Sequence, residues 1–377
     1  MIKRILKMIG LIIGTIVVLL VIVGVLIVNL SPEFGGKASA EKIKEYSKSP
    51  NYRIDKFVNK EEVKLSFTTS QYIEMIFKFF RTQPNTVPDI SIPVVHSDST
   101  EIAVYESDIP RLIWFGHSTF LLQVGGKNIL IDPMFGDVPA PHPWLGNSRF
   151  SKSLPLEIEK LPFIDFVILS HDHYDHLDYG SISKLKSKVK QFYTPLGVGN
   201  HLIAWGIDQS KVKELDWWDE VEIGEFIFAC TPAQHFSGRG IGDNAATLWA
   251  SWVIKSENHS IFFSGDSGYS THFKEIGEKY GPFDFAMIEC GQYNEQWKQI
   301  HMMPEETVQA GIDLKAELIM PIHWAAFKLA FHTWTDPIER VTKKAKEMEM
   351  PIATPMIGES IFINRLDAFP QSRWWSK

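Results

Sequence analysis

The sequence predicts a layered α/β domain carried behind one membrane-spanning helix. Three features lead to this expectation. An uncharged apolar stretch, Ile9 to Val28, opens the chain. Short runs rich in Val, Ile and Phe, each followed by a polar cluster, recur from about Ile109. Segments of helical character separate some of those runs. With 377 residues, 45% hydrophobic and 22% charged, the chain has ample material for a core. The net charge of −7 argues against nucleic acid as a partner, because phosphates select a basic surface. Cys230 and Cys290, the only cysteines, sit in or at the end of apolar runs, which predicts buried thiols rather than a disulfide.

Residues 1–30 read as a transmembrane anchor. Ile9 to Val28 matches the roughly 20 apolar residues that cross a bilayer, whereas a cleaved signal has a shorter apolar centre of about 7–15 residues. Ala38-Ser39-Ala40 resembles a cleavage site and marks the competing reading. Lys3, Arg4 and Lys7 precede the apolar stretch, which predicts a cytoplasmic N-terminus and the bulk of the chain on the outer face. Gly10 and Gly14 form a small-xxx-small pair suited to helix pairing.

Residues 31–108 read as a spacer and an appended segment. Ser31 to Pro50 is rich in Lys, Glu, Ser and Gly, the composition of an exposed spacer. Ser70 to Arg81 carries Tyr72, Ile73, Met75, Ile76, Phe77, Phe79 and Phe80, apolar around much of a helical circumference. Such a helix packs on the main domain, or else faces a membrane or covers a site. Pro84, Pro88 and Pro93 end the pattern.

Residues 109–377 carry the main domain. RLIWFGHST, NILIDP, DFVILSHDH, FIFACTPAQH, SIFFSGD, DFAMIEC and ELIMPIHW read as strands buried on both faces. Thr271–Tyr280, Pro304–Leu314, Lys184–Lys190 and Asp336–Met348 are helix candidates, with Pro304 suited to a first turn.

The potential metal ligands follow these strands. His171 comes after Phe166–Leu169 and Ser170, His235 after Phe226–Cys230, Asp266 after Ile261–Phe263, and His323 closes Leu318–Ile322. Open α/β sheets place their sites at such carboxyl ends. Leu169 to Asp178, LSHDHYDHLD, adds His173, Asp175 and His176 to His171. Residues two apart in extended backbone share a face, so His171 and His173 can hold one ion, completed by His235. The following turn sends Asp175 and His176 towards a second ion, completed by His323, and Asp266 can bridge the two. Imidazole and carboxylate without thiolate is zinc chemistry, with iron or manganese as alternatives.

With these pieces in place, the chain resembles the metallo-β-lactamase superfamily, whose signature is His-x-His-x-Asp-His. It is similar in particular to the N-acylphosphatidylethanolamine phospholipase D branch and its bacterial relatives. The resemblance rests on IWFGHSTFLLQ, ILIDP, LSHDHYDHLD, TPAQHFSGR, FFSGDSGY, QIHMMPEETV and PIHWAAF, spread over roughly residues 105–370. It implies an αββα sandwich with a dimetal site at one edge, and its metal ligands correspond to His171, His173, Asp175, His176, His235, Asp266 and His323.

What the resemblance implies chemically is a hydrolase with two Zn(2+) ions that activate water and polarise the bond attacked. The substrate class is a phospholipid, cleaved to an N-acylethanolamine and phosphatidic acid. Alternatives are a lactone or another small ester or phosphodiester, and a non-catalytic metal-binding membrane protein. Asp175 and Asp266 are the candidate catalytic carboxylates, and His301 a candidate proton donor or phosphate contact. His117, His332 and Trp144 (in the loop Pro141-His142-Pro143-Trp144) are candidate substrate contacts, with a satisfied structural histidine beneath the site as the alternative for His117 and simple packing as the alternative for Trp144. Arg239 is a candidate for an anionic head group.

Overall fold

The computed structural model describes residues 2–64, 68–81, 83–363 and 368–376. The chain begins with α1 (Ile2–Leu30), whose apolar window has a mean hydropathy of 3.4 and no part buried. It is long and apolar enough to cross a membrane. Next come α2 (Ala40–Tyr46), the hairpin β1 (Tyr52–Arg53) and β2 (Lys56–Phe57), α3 (Thr69–Phe80) and α4 (Ser99–Ala103). The first half of the main domain holds β3 (Arg111–Trp114), β4 (Phe120–Val124), β5 (Lys127–Ile131), β6 (Ile164–Ile168), α5 (Tyr179–Leu185), β7 (Val189–Pro195), α6 (Gly199–Ala204) and β8 (Val212–Leu215). The second half holds β9 (Glu220–Ile223), β10 (Phe226–Thr231), β11 (Ser251–Lys255), β12 (Ser260–Phe263), α7 (His272–Lys279), β13 (Phe285–Glu289), α8 (Pro304–Asp313), β14 (Ile319–Ile322), α9 (Asp336–Glu347) and β15 (Ser360–Phe362).

The strands form two sheets, ordered β15-β3-β4-β5-β6-β7-β8 and β14-β13-β12-β11-β10-β9. Each combines an antiparallel part with a parallel tail, β5 to β8 in one and β12 to β14 in the other. Helices cover the outer faces, so the expected αββα sandwich is the observed one. Strand periodicity explains why its strands read as continuous apolar runs. Along β6, Phe166 and Ile168 enter the core between the sheets, while Val167 points to the outer layer with Ile182 and Leu185 of α5. Ring pairs such as Phe166 with Phe228 at 5.2 Å and Phe120 with Phe263 at 6.3 Å close the gap between sheets. Both cysteines are buried and free.

Two local expectations need correction. The helix expected over Lys184–Lys190 is displaced: Asp178 caps α5, accepting from the Ser181 N–H at 2.8 Å, and Val189 already pairs with Ile164 as β7 begins. Nor is Ser31 to Pro50 an exposed spacer. Tyr46 is buried with its hydroxyl on Glu214, and just beyond this stretch the Phe57 N–H donates to the Ala245 carbonyl at 2.9 Å. The polar composition concealed a few aromatics that dock the segment on the domain. In α3, begun by a capping box of Thr68 and Gln71, Tyr72, Ile73 and Phe77 are exposed. The side chains of Ile76, Phe79 and Phe80 lie outside the described residues.

Candidate metal centre

Loops at the carboxyl ends of β6, β10, β12 and β14 bring the predicted ligands together. The approach of the loops after β6 and β12 depends on Gly265, whose φ is +56°. A Cβ there would stand 2.7 Å from Ser170 Cβ and 2.8 Å from the Ala250 carbonyl. His323 itself holds a φ of +67° and His117 one of +55°, costly conformations kept by the surrounding structure. The His323 N–H donates to the His117 carbonyl at 3.2 Å, tying the two together.

The donor atoms fall into two groups with Asp266 between them. In the first, His171 Nε2 and His235 Nε2 lie 3.0 and 3.1 Å from His173 Nδ1, and each lies 3.8 Å from Asp266 Oδ2. In the second, His323 Nε2 lies 3.1 Å from Asp175 Oδ2 and 3.1 Å from Asp266 Oδ2. His176 Nε2 lies 3.1 Å from Asp266 Oδ1, yet both atoms are buried without a hydrogen-bond partner.

Outer contacts turn ring lone pairs inwards. His176 Nδ1 donates to Asp132 at 2.7 Å and His235 Nδ1 to the Ile300 carbonyl at 3.0 Å. Ser170 Oγ gives its proton to Asp132 and accepts from His171 Nδ1 at 2.8 Å. Buried imidazoles with converging lone pairs, orphaned inner atoms and anchored outer nitrogens fit a metal centre.

The electrostatics agree. Burial lowers His171 and His235 well below the usual imidazole range, so both are neutral and ready to ligate. Burial opposes charge on His323 too, but Asp266 and Asp175 outweigh it and raise that ring to about 10. His176 is likewise raised against burial by Asp266 and Asp175. In the metal-free protein these two rings therefore carry protons at neutral pH that a metal must displace. Metal affinity is expected to rise with pH and to fall on acidification, with about two protons released per loading event near pH 7. Calorimetry in buffers of different ionisation heat checks this, and binding that is independent of buffer and pH would contradict it.

A family model described as the β-lactamase superfamily domain matches residues 127–324, just over half of the chain. This protein belongs to the metallo-β-lactamase superfamily. It is similar to an uncharacterised protein of Mycobacterium tuberculosis, 37% identical over 332 residues, covering 86% of this chain and 87% of that one. It is also similar to N-acyl-phosphatidylethanolamine-hydrolyzing phospholipase D 1 of Caenorhabditis elegans, 35% identical over 228 residues. That match covers 57% of this chain and 64% of the nematode protein, less than two thirds of its length. Among solved structures, Igni18, a metallo hydrolase of the archaeon Ignicoccus hospitalis, shares the fold with a TM-score of 0.51 at 21% identity. That alignment covers 67% of this chain and 97% of Igni18.

The remaining candidates divide sharply on this metal-dependent hydrolase fold. His301 lies at the cluster, within reach of Asp266 and His323, its ring stacked 5.3 Å from His323. Its Nδ1 is hydrogen-bonded to Glu289, a fully buried carboxylate that also accepts from the Ser267 N–H. His117 is corrected from substrate contact to support: it is fully buried, with Nε2 2.8 Å from Asp175 Oδ2. Arg239 is corrected as well. It is 4% exposed, and its guanidinium donates to the carbonyls of Glu33, Asp172 and Leu177, leaving no open face for an anion. His332 is half-buried, stacked on Tyr293 at 4.5 Å with Nδ1 on the Thr333 carbonyl. Trp144 is 71% exposed and stacks on His142 at 5.5 Å.

Asp132 and Glu289 are the participants that sequence reasoning missed. Asp132 follows β5 and Glu289 closes β13, the same strand-end placement that singled out Asp266, but nothing in the sequence shows the ring that each one touches.

Proposed function

We propose that this protein is a membrane-anchored dizinc hydrolase, a phosphodiesterase of phospholipase D type acting on N-acylphosphatidylethanolamine-like lipids. The observation that carries the reading is the pair of converging donor sets sharing Asp266. His171, His173 and His235 would hold one ion, Asp175, His176 and His323 the other, and Asp266 both. Bound there, zinc supplies an activated water and a charge that polarises the phosphoryl oxygen. The nematode relative's phospholipase activity and the apolar α1 favour a lipid. The basic flank of α1 supports a cytoplasmic N-terminus with the catalytic domain on the outer face, where tethering would raise the effective lipid concentration.

The chain's own side chains set the geometry. His117 fixes Asp175 from below, and Asp132 fixes His176. Burial holds the His301 ring down at about 4, so it is neutral in working conditions. With Nδ1 committed to Glu289, its remaining nitrogen, Nε2, would take the proton released by the attacking water and pass it to the departing alcohol. Glu289→Gln keeps the shape but puts an amide, which can donate to Nδ1 as well as accept from it, in place of the carboxyl group, so the tautomer is no longer fixed. A fall of about 10–100-fold in kcat is expected, with metal content unchanged. Steady-state kinetics beside metal analysis checks it, and a kcat within twofold of the native value would remove Glu289 from the mechanism.

The deciding experiment offers metal-loaded full-length protein N-acylphosphatidylethanolamine in vesicles, alongside a panel of lactones and small esters. Release of N-acylethanolamine with phosphatidic acid is expected. Hydrolysis of a lactone or simple ester with no lipid turnover would replace the lipid reading.

A further inference from the structure

The end of α1 does not lead into a free tether; it is built into the rim of the metal centre. Gly240 abuts the last turns of the helix: a Cβ placed on it would stand 3.7 Å from Val28 Cγ1 and 3.5 Å from Phe34 Cδ1. Trp205 Nε1 donates to the Pro32 carbonyl at 2.6 Å, and Arg239 grips the Glu33 carbonyl at 2.7 and 3.0 Å. The same guanidinium holds the Asp172 and Leu177 carbonyls, on either side of His173, Asp175 and His176. Phe34 sets its ring edge-on to Tyr174, which lies between His173 and Asp175, and to His142, both at 6.4 Å. The helix exit, the rim and the metal loop are thus one packed unit.

Apolar side chains on this rim point away from the protein. Ile241, next to Gly240, is 86% exposed, and Trp144 and Leu145 follow His142 at 71% and 50%. If Ile9 to Val28 lies in hydrocarbon, a loop in contact with Val28 sits at the level of the boundary. An apolar residue there meets lipid rather than water.

We propose that the rim bearing Trp144, Leu145 and Ile241 is a bilayer-insertion surface that seats the metal centre on the leaflet supplying its substrate. This rests on the membrane-anchored reading above and extends it, since a helix on a loose tether would leave the domain free to tumble. A Trp-Leu pair on one loop and an Ile on another, flanking a membrane helix, match the aromatic and aliphatic composition of interfacial anchors. The consequence is direct transfer, in which a phospholipid head group meets the loop His171–His176 without its acyl chains leaving the membrane.

The test uses the full-length chain reconstituted in vesicles of phosphatidylcholine and phosphatidylglycerol containing nitroxide-labelled lipid. Leu145→Cys and Ile241→Cys each receive a thiol-reactive fluorophore, and the buried native cysteines leave the introduced thiol as the site of labelling. Glu257→Cys, in the turn between β11 and β12, at the end of β12 opposite the loop that carries Asp266, is the reference. Probes at 145 and 241 are expected to lose roughly half their emission to the nitroxide, because interfacial side chains sit about 5–10 Å into the membrane boundary. The probe at 257 should keep its emission. Protein that floats with vesicles but shows equal quenching at all three positions overturns the insertion surface and leaves the anchor standing. Protein that fails to float overturns the anchor and the proposal with it.

Discussion

Asp266→Ala is expected to lower kcat/KM by about 10³-fold and to strip metal from both halves of the centre. Among the described residues, Asp266 is the carboxylate that faces both donor sets, with Oδ1 at 3.1 Å from His176 Nε2 and Oδ2 at 3.1 Å from His323 Nε2. The same Oδ2 lies 3.8 Å from His171 and His235. Without it, imidazoles from both sets face a space with no shared anion, and in the proposed dizinc centre the two ions would lose the ligand that screens their mutual repulsion. Burial disfavours the Asp266 anion, but His176 and His323 more than compensate and hold it well below the usual carboxylate range. It is therefore ionised whenever the protein is folded near neutral pH, and it supplies charge that alanine cannot. Mass-spectrometric metal counting per chain, beside kinetics, checks this. A variant with full metal content and activity within tenfold of the native enzyme would exclude Asp266 as the bridge.

Arg239→Met should destabilise the protein by about 3–5 kcal/mol, a large effect for one side chain. The substitution approximates the length of the stem while leaving the carbonyls of Glu33, Asp172 and Leu177 without their buried donor. It also removes the cation stacked 4.0 Å over Tyr174. Asp172 then loses a positive neighbour, although the Gly238 N–H and the Thr247 hydroxyl, both at 2.8 Å, still hold it. Arg239→Lys should recover only part of the loss, because an ammonium cannot span three separated carbonyls as a planar fork does. Denaturant unfolding of the full chain in detergent measures both. A change below about 1 kcal/mol for the methionine variant would mean that the clamp is dispensable.

The strands that sequence reasoning found are those buried on both faces, because there every residue is apolar and the run is continuous. Of the strands it passed over, β4 and β11 are equally buried, and others are of a different kind. β9 alternates charged and apolar residues at a sheet edge, and β8 closes the other sheet in the same half-exposed manner. β7 carries a lysine and a glutamine ahead of its buried end, so local composition favoured a helix over its start.

At the centre, LSHDHYDHLD was legible because ligand chemistry demands several imidazoles and carboxylates in a short span. Asp172 and Asp178, the acids in that span left without a metal role, prove to be a carboxylate bonded to His201, Gly238 and Thr247 and a helix cap. Asp132 and Glu289 were not legible as support, since a lone acid at a strand end looks like any turn residue until the ring it touches is known.

The sequence by itself determined the layered α/β class, the helix able to cross a membrane and the residues that meet at the centre, because periodicity and ligand type are local properties, and its resemblance to known motifs supplied the superfamily and the two-sheet fold. The tertiary structure decided which of the polar residues face the reaction and which hold the frame. Arg239 and His117 exchanged a substrate role for a structural one on burial alone, and Glu33 joined the site through a backbone carbonyl that no side-chain pattern records. Whether a charged group meets substrate or spends its hydrogen bonds inward depends on what packs around it, and those neighbours come from distant parts of the chain.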